Sequence, residues 1–168
     1  MSRRLISTNP QVARSFGEAL GRIVQGPLAI LLSGDYGTGK TTFVQGLAAG
    51  LGVAGPVRSP SYNIMKRYSD GRCILVHADL YRTQSSPEIE ELGLSEIIAA
   101  EGVLAVEWPG RYLPPAREMP SLTISFNYLS KTGLPADDAV EHRRLDVSWT
   151  ENIPENLKGV LRALAARH

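Results

Sequence analysis

The chain has 168 residues, 43% hydrophobic and 21% charged, with a formal net charge of +1; that length suits one domain, residues 1–168, able to bury its own core. The near-neutral balance excludes the broad basic field of a dedicated nucleic-acid binder, leaving Arg3-Arg4, Lys66-Arg67 and Arg143-Arg144 as local basic pairs on solvated edges. A single cysteine, Cys73, excludes an intrachain disulfide; with no apolar run near ~18 residues, and with Ser7-Thr8-Asn9 where a signal peptide needs an apolar core, a cytoplasmic protein is expected.

The first helix is expected over Thr8 to Gln25. Thr8 and Gln11 have capping-box spacing, and Asn9 before Pro10 is the alternative cap. Val12, Phe16, Ala19, Leu20 and Ile23 form its apolar face, and Gly26-Pro27 ends it. Leu28 to Leu32 is a short unbroken apolar run, the mark of a strand buried on both faces. A helix follows through Thr42 to Ala49, with Gly50 and Gly52 as stop signals. Past the proline-containing loop Gly55 to Tyr62, strands are expected at Tyr62 to Tyr68 and Arg72 to Ala78, around the Asp70-Gly71 turn signal.

Ser85, Pro87 and Glu88 open another helix, carrying Ile89, Leu92, Ile97 and Ile98 and interrupted near Gly93. Val103 to Val106 is a second buried strand, ending in Glu107-Trp108-Pro109. Leu122 to Phe126 and Arg144 to Trp149 alternate with period two, as antiparallel strands do, and Leu129 to Val140 between them reads as a polar loop. A last helix begins near Pro154, with Leu157, Val160, Leu161 and Leu164 on one face. These elements predict an α/β three-layer sandwich around a mixed, mainly parallel central sheet.

Between the first strand and its helix lies Gly34-Asp35-Tyr36-Gly37-Thr38-Gly39-Lys40-Thr41, which fits the phosphate-cradle pattern G-x-x-x-x-G-K-[ST] at every fixed position. Glycines let successive backbone N–H groups converge on phosphate oxygens, and the helix N-terminus adds partial positive charge. The motif therefore predicts a nucleoside triphosphate site, with Lys40 on the β- and γ-phosphates and the Thr41 hydroxyl on Mg²⁺. Such a site needs an acid at the end of a neighbouring buried strand. Glu107 is the expected metal ligand. Asp79 is the second acid, either supporting the metal or orienting the attacking water.

Trp108, beside that carboxylate, is expected to pack near the nucleotide. His77 is read as a strand histidine facing solvent or a satisfied partner. Arg82 either stabilises charge on the transferred phosphoryl group or pairs with the acidic stretch Glu88-Glu90-Glu91.

The loop at 34–41, Ser59-Pro60-Ser61-Tyr62, His77-Ala78-Asp79-Leu80-Tyr81-Arg82, Glu90 to Leu94 and Val106-Glu107-Trp108-Pro109 occur in the order and spacing of the bacterial TsaE (YjeE) family, which the chain resembles over nearly its whole length. The resemblance implies a P-loop ATPase using ATP and Mg²⁺ in the synthesis of N6-threonylcarbamoyladenosine at position 37 of tRNA. It implies an accessory subunit that binds a heterodimer of the actin-like-fold proteins TsaB and TsaD, reaching tRNA only through that complex, with no DNA or membrane partner.

It also implies that Asp35, Tyr36, Gly37, Thr38, Gly39, Lys40, Thr41 and Thr42 cradle the nucleotide, joined by Ser61 and Trp108. Thr8 lies where the family contacts adenine, Thr41, Glu107 and Asp79 serve the metal, and Lys40, Asp79 and Glu107 carry catalysis. The loop Ser59 to Tyr62 becomes a nucleotide-responsive switch. Tyr36 and Thr38 stand where the family has Leu and Ala, and Ser61 where it has Thr; the cradle uses backbone at the first two, and Ser61 keeps the hydroxyl. A small-molecule or nucleotide kinase is the main alternative, against which stands the lack of an arginine-rich lid. A nucleotide-gated adaptor without turnover is the other.

Overall fold

The computed structural model describes residues 2–7, 10–60, 63–83, 86–94, 96, 102–110, 119–129 and 142–165. Its elements in chain order are β1 (Ser2–Ser7), α1 (Pro10–Ile23), β2 (Leu28–Gly34), α2 (Lys40–Leu51), β3 (Met65–Tyr68), β4 (Ile74–Asp79), α3 (Ser86–Glu91), β5 (Gly102–Glu107), β6 (Ser121–Leu129), β7 (His142–Trp149) and α4 (Glu155–Ala165). The strands form one seven-stranded sheet in the order β1-β7-β6-β2-β5-β4-β3. Its centre, β6-β2-β5-β4, is parallel, whereas β3, β7 and β1 pair antiparallel to their neighbours. The mixed sheet with a parallel centre is the expected one.

Alternation along the central strands sends two side-chain sets to opposite faces. Leu28, Ile30, Leu32, Leu75, Val103 and Ala105 pack on one face with Phe16, Leu20, Phe43, Leu47, Leu157 and Leu161 of α1, α2 and α4. Ala29, Leu31, Val76, Ala78, Leu104 and Val106 pack on the other with Leu80, Ile89 and Leu94. On the first face, Phe43 meets Phe16 and Phe126 edge-on at centroid distances of 5.3 and 6.3 Å, tying α1, α2 and β6 together.

The structure departs from the sequence reading in several places: α1 ends at Ile23 rather than Gln25, α2 runs from Lys40 through the expected stop at Gly50 to Leu51, β4 starts at Ile74 rather than Arg72, and β7 starts at His142 rather than Arg144. β1 was not expected: Arg3-Arg4 interrupt any apolar alternation, and the strand exists through its ladder with β7, Ser2 opposite Ser148 to Ser7 opposite Arg143. The buried face of α1 is Ala13, Phe16 and Leu20, continued by Val24 just past its end, leaving Val12, Ala19 and Ile23 half-buried beside it. That rotation follows from Gly17 and Gly21, which turn toward α2 and let the two backbones meet. β3 begins at Met65, not at Tyr62. β6 includes Leu129, so the loop expected from that residue starts later; residues 130–141, and Ile97 and Ile98 of the expected helix, lie outside the described residues.

Candidate functional site

The loop joining β2 to α2 takes left-handed backbone at Gly37 (φ 75°) and Gly39 (φ 109°), a conformation that a side chain would strain. Gly39 is the N-cap of α2, and the Phe43 N–H bonds its carbonyl at 2.9 Å. The N–H groups of the first turn have no acceptor within a helix; here that turn is Lys40-Thr41-Thr42, at the cleft wall. Thr38 is buried, and its hydroxyl donates to the Asp35 carbonyl at 2.8 Å, closing the loop from inside. Lys40 Nζ donates to the carbonyls of Gly34 and Asp35, both at 2.7 Å, and lies 4.0 Å from the centre of the Trp108 ring. Burial pushes the Lys40 ammonium below its ordinary value, against the opposing pull of Glu107, Asp79 and Asp35.

The acids come from strand register. Leu32 of β2 pairs with Glu107 of β5, and Glu107 pairs with Asp79 of β4, so both carboxylates stand in one row at the C-terminal ends of parallel strands. Glu107 is buried, and its Oε1 accepts the Thr41 hydroxyl at 2.8 Å and lies 2.8 Å from His77 Nε2. Asp79 accepts the Ser59 hydroxyl on Oδ2 at 2.7 Å and the Tyr81 N–H on Oδ1 at 3.1 Å. His77 is therefore wholly buried on the acid side of the sheet, which removes the solvent-facing alternative and leaves the partnered one. No local signal names Glu107 as that partner, because the contact joins neighbouring strands 30 positions apart in the chain.

Trp108 has φ 55°, left-handed for a bulky residue. Its N–H donates to Leu32 O at 3.0 Å, and this turn at the end of β5 brings the indole over Lys40. Tyr81 leans on the same ring at 5.0 Å between centroids. Tyr36 is 89% exposed at the rim, with its carbonyl accepting the Tyr128 hydroxyl at 3.3 Å. Arg82 is exposed.

A cleft of about 250 Å³ is lined by Tyr36, Gly37, Gly39, Lys40, Thr41, Thr42, Ser59, Asp79, Glu107 and Trp108. Of the expected residues, Asp35 and Thr38 sit behind this lining and shape the loop, while Thr8 and Ser61 lie outside the described residues. A cavity of about 290 Å³ beside Val24, Pro27, Pro120 and Pro154 has no charged side chain in its lining, so chemistry and not volume singles out the first. The oxygen donors Thr41, Glu107 and Asp79 suit a hard cation. Among the described residues no three His, Cys, Asp or Glu side chains converge as a metal cage.

The family model "Threonylcarbamoyl adenosine biosynthesis protein TsaE" matches residues 7–134. Two similar proteins carry the name tRNA threonylcarbamoyladenosine biosynthesis protein TsaE. That of Bacillus subtilis is 39% identical over 102 residues, 61% of this chain and 63% of that protein. That of Treponema pallidum is 33% identical over 124 residues, 74% of this chain and 89% of that one. The match thus spans just under two thirds of the first relative and most of the second. The crystal structure of B. subtilis YdiB superposes with a TM-score of 0.72 over 99% of this chain and 96% of its own, at 24% identity, which speaks to the fold. No helix among the described residues is long and apolar enough to cross a membrane. With the family model covering residues 7–134 of 168, the chain belongs to the TsaE family.

Proposed function

We propose that this chain binds ATP with Mg²⁺ in the cleft at the head of α2 and hydrolyses it to ADP and phosphate, as the ATPase subunit serving TsaB and TsaD in threonylcarbamoyladenosine synthesis on tRNA. The observation that carries this reading is the convergence of Lys40 Nζ, the Thr41 hydroxyl and the Glu107 carboxylate in one cleft beside the left-handed glycines. The names of the family model and of the relatives support the pathway. The net charge of +1 favours indirect contact with tRNA in the cytoplasm over direct binding.

In this reading the nucleotide's phosphates replace the Gly34 and Asp35 carbonyls as partners of Lys40. The exchange is favourable because an ammonium binds phosphate oxygen more strongly than a neutral carbonyl. The N–H groups of residues 37–42 and the α2 N-terminus hold the phosphate oxygens. Thr41 and Glu107 would hold Mg²⁺, which would neutralise charge on the nucleotide's phosphates. Asp79 orients the water whose oxygen forms a bond to the γ-phosphorus as the bond to ADP breaks, the water's proton passing to the released phosphate. Ser59, tied to Asp79, is the described end of the switch loop, so the state of the phosphates reaches that loop through this hydrogen bond.

ATP turnover by the purified chain, alone and with the TsaB–TsaD pair, tests the reading. Slow release of phosphate alone and faster release with the pair is expected. No release under either condition would refute the ATPase.

A further inference from the structure

We propose that His77 is a positioning residue for Glu107: its Nε2–H fixes one carboxylate oxygen so that the other faces the metal and nucleotide. This rests on the ATPase reading and adds to it a residue that does not touch the substrate.

The imidazole is fully buried; its same-face neighbours along β4 are Leu75 and Asp79, and its register partners are Ala105 of β5 and Lys66 of β3. Nδ1 has no hydrogen-bond partner among the described residues. A buried ring with one unsatisfied nitrogen is costlier than an aliphatic side chain of similar size, so the ring is not there to fill space. What it gains is a single contact, 2.8 Å to Glu107 Oε1.

A carboxylate oxygen accepts, so the hydrogen of this contact is carried by Nε2. Thr41 donates to the same Oε1. Two donors on that oxygen, from β4 and from α2, leave Oε2 without a donor from the described residues, and they fix the rotation of the carboxylate. If Thr41 turns its hydroxyl oxygen to Mg²⁺, His77 still holds the carboxylate in register. Partners of metal ligands act in this way, and their loss weakens metal binding without removing a ligand.

The test is calorimetric titration of ATP onto the full chain across a Mg²⁺ series, for the unmodified protein, His77→Leu and His77→Gln, with thermal melts of each. Leu removes the donor; Gln keeps an N–H at similar reach. In His77→Leu the Mg²⁺ concentration needed to tighten ATP binding should rise about 10–100-fold, with Mg²⁺-free affinity unchanged, and His77→Gln should restore most of the loss. A purely packing role would lower the melting temperature in both variants and leave the Mg²⁺ dependence alone; an unchanged dependence in His77→Leu overturns the inference while the ATPase reading stands. If ATP binding by the unmodified chain ignores Mg²⁺, that reading fails and takes the inference with it. Should His77→Leu not fold, nitrogen NMR of ¹⁵N-histidine-labelled unmodified protein decides: a proton on Nε2 supports the inference, and an unprotonated Nε2 overturns it.

Discussion

Lys40 places a cationic side chain inside the cleft. It is 4% exposed, donates to two carbonyls of its own loop, and lies against Trp108. Because burial lowers its pKa from the ordinary 10.5, the folded chain sheds this proton at a lower pH than the unfolded chain. Between the lowered value and 10.5 the unfolded state binds more protons, so this group's contribution to stability rises with pH. Lys40→Met keeps the aliphatic stem and lacks the charge. Urea melts at pH 7 and pH 10 should show the unmodified chain gaining on Lys40→Met as pH rises; a constant difference would contradict the burial of the charge.

The two acids separate in the same way. Glu107→Gln should weaken Mg²⁺-dependent nucleotide binding. Asp79→Ala should leave binding within about threefold while turnover falls about 10-fold or more, if it orients water. Measuring both constants for both variants checks this, and the reverse pattern would exchange the roles. The glycine loop, Lys40, Thr41 and Glu107 were legible in the sequence because a contiguous motif and an acid at a strand end are local signals. The bond from His77 to Glu107, and the tie from Ser59 to Asp79, were not, since each joins residues 20 or more positions apart.

At the scale of elements, α2 is held by an exchange of glycines with α1. A Cβ on Gly46 would run into the Arg14 carbonyl and one on Gly50 into that of Glu18; one on Gly17 would meet the Phe43 carbonyl and one on Gly21 that of Leu47. The two helices therefore touch backbone to backbone. Arg72, on the turn before β4, donates to the carbonyls of Gly21 and Gly50 near the C-termini of both, where a cation is favoured.

Gly46→Ala should destabilise the chain by about 1–3 kcal/mol, even though alanine in a helix interior is favoured by about 1 kcal/mol. Gly159→Ala on exposed α4, where a Cβ would meet nothing within 4 Å, should stabilise by about 0.5–1 kcal/mol. Chemical denaturation of the pair checks both signs. Apolar runs and periodicity made β2, β5, α2 and α4 readable, each supplying its own burial signal. They misplaced the α1 face because a glycine carries no hydrophobic mark, and they missed β1 because an edge strand draws its stability from a partner distant in sequence.

Across the whole molecule, the site follows from topology. Parallel β2, β5 and β4 end together, and the loop after β2, the acid ending β5 and the acid ending β4 open into one crevice at the carboxyl edge of the sheet. The large hydrophobics exposed among the described residues, Tyr36, Tyr81 and Tyr128, stand around that same opening. The central claim is that this crevice is a Mg²⁺-dependent ATP site anchored by Lys40. Calorimetric titration of ATP onto the unmodified chain and onto folded Lys40→Ala, each with and without Mg²⁺, tests it directly. Saturable binding that tightens with Mg²⁺ in the unmodified chain, weakened about 10–100-fold by the substitution, is the predicted result; equal ATP affinity in the two proteins would contradict it.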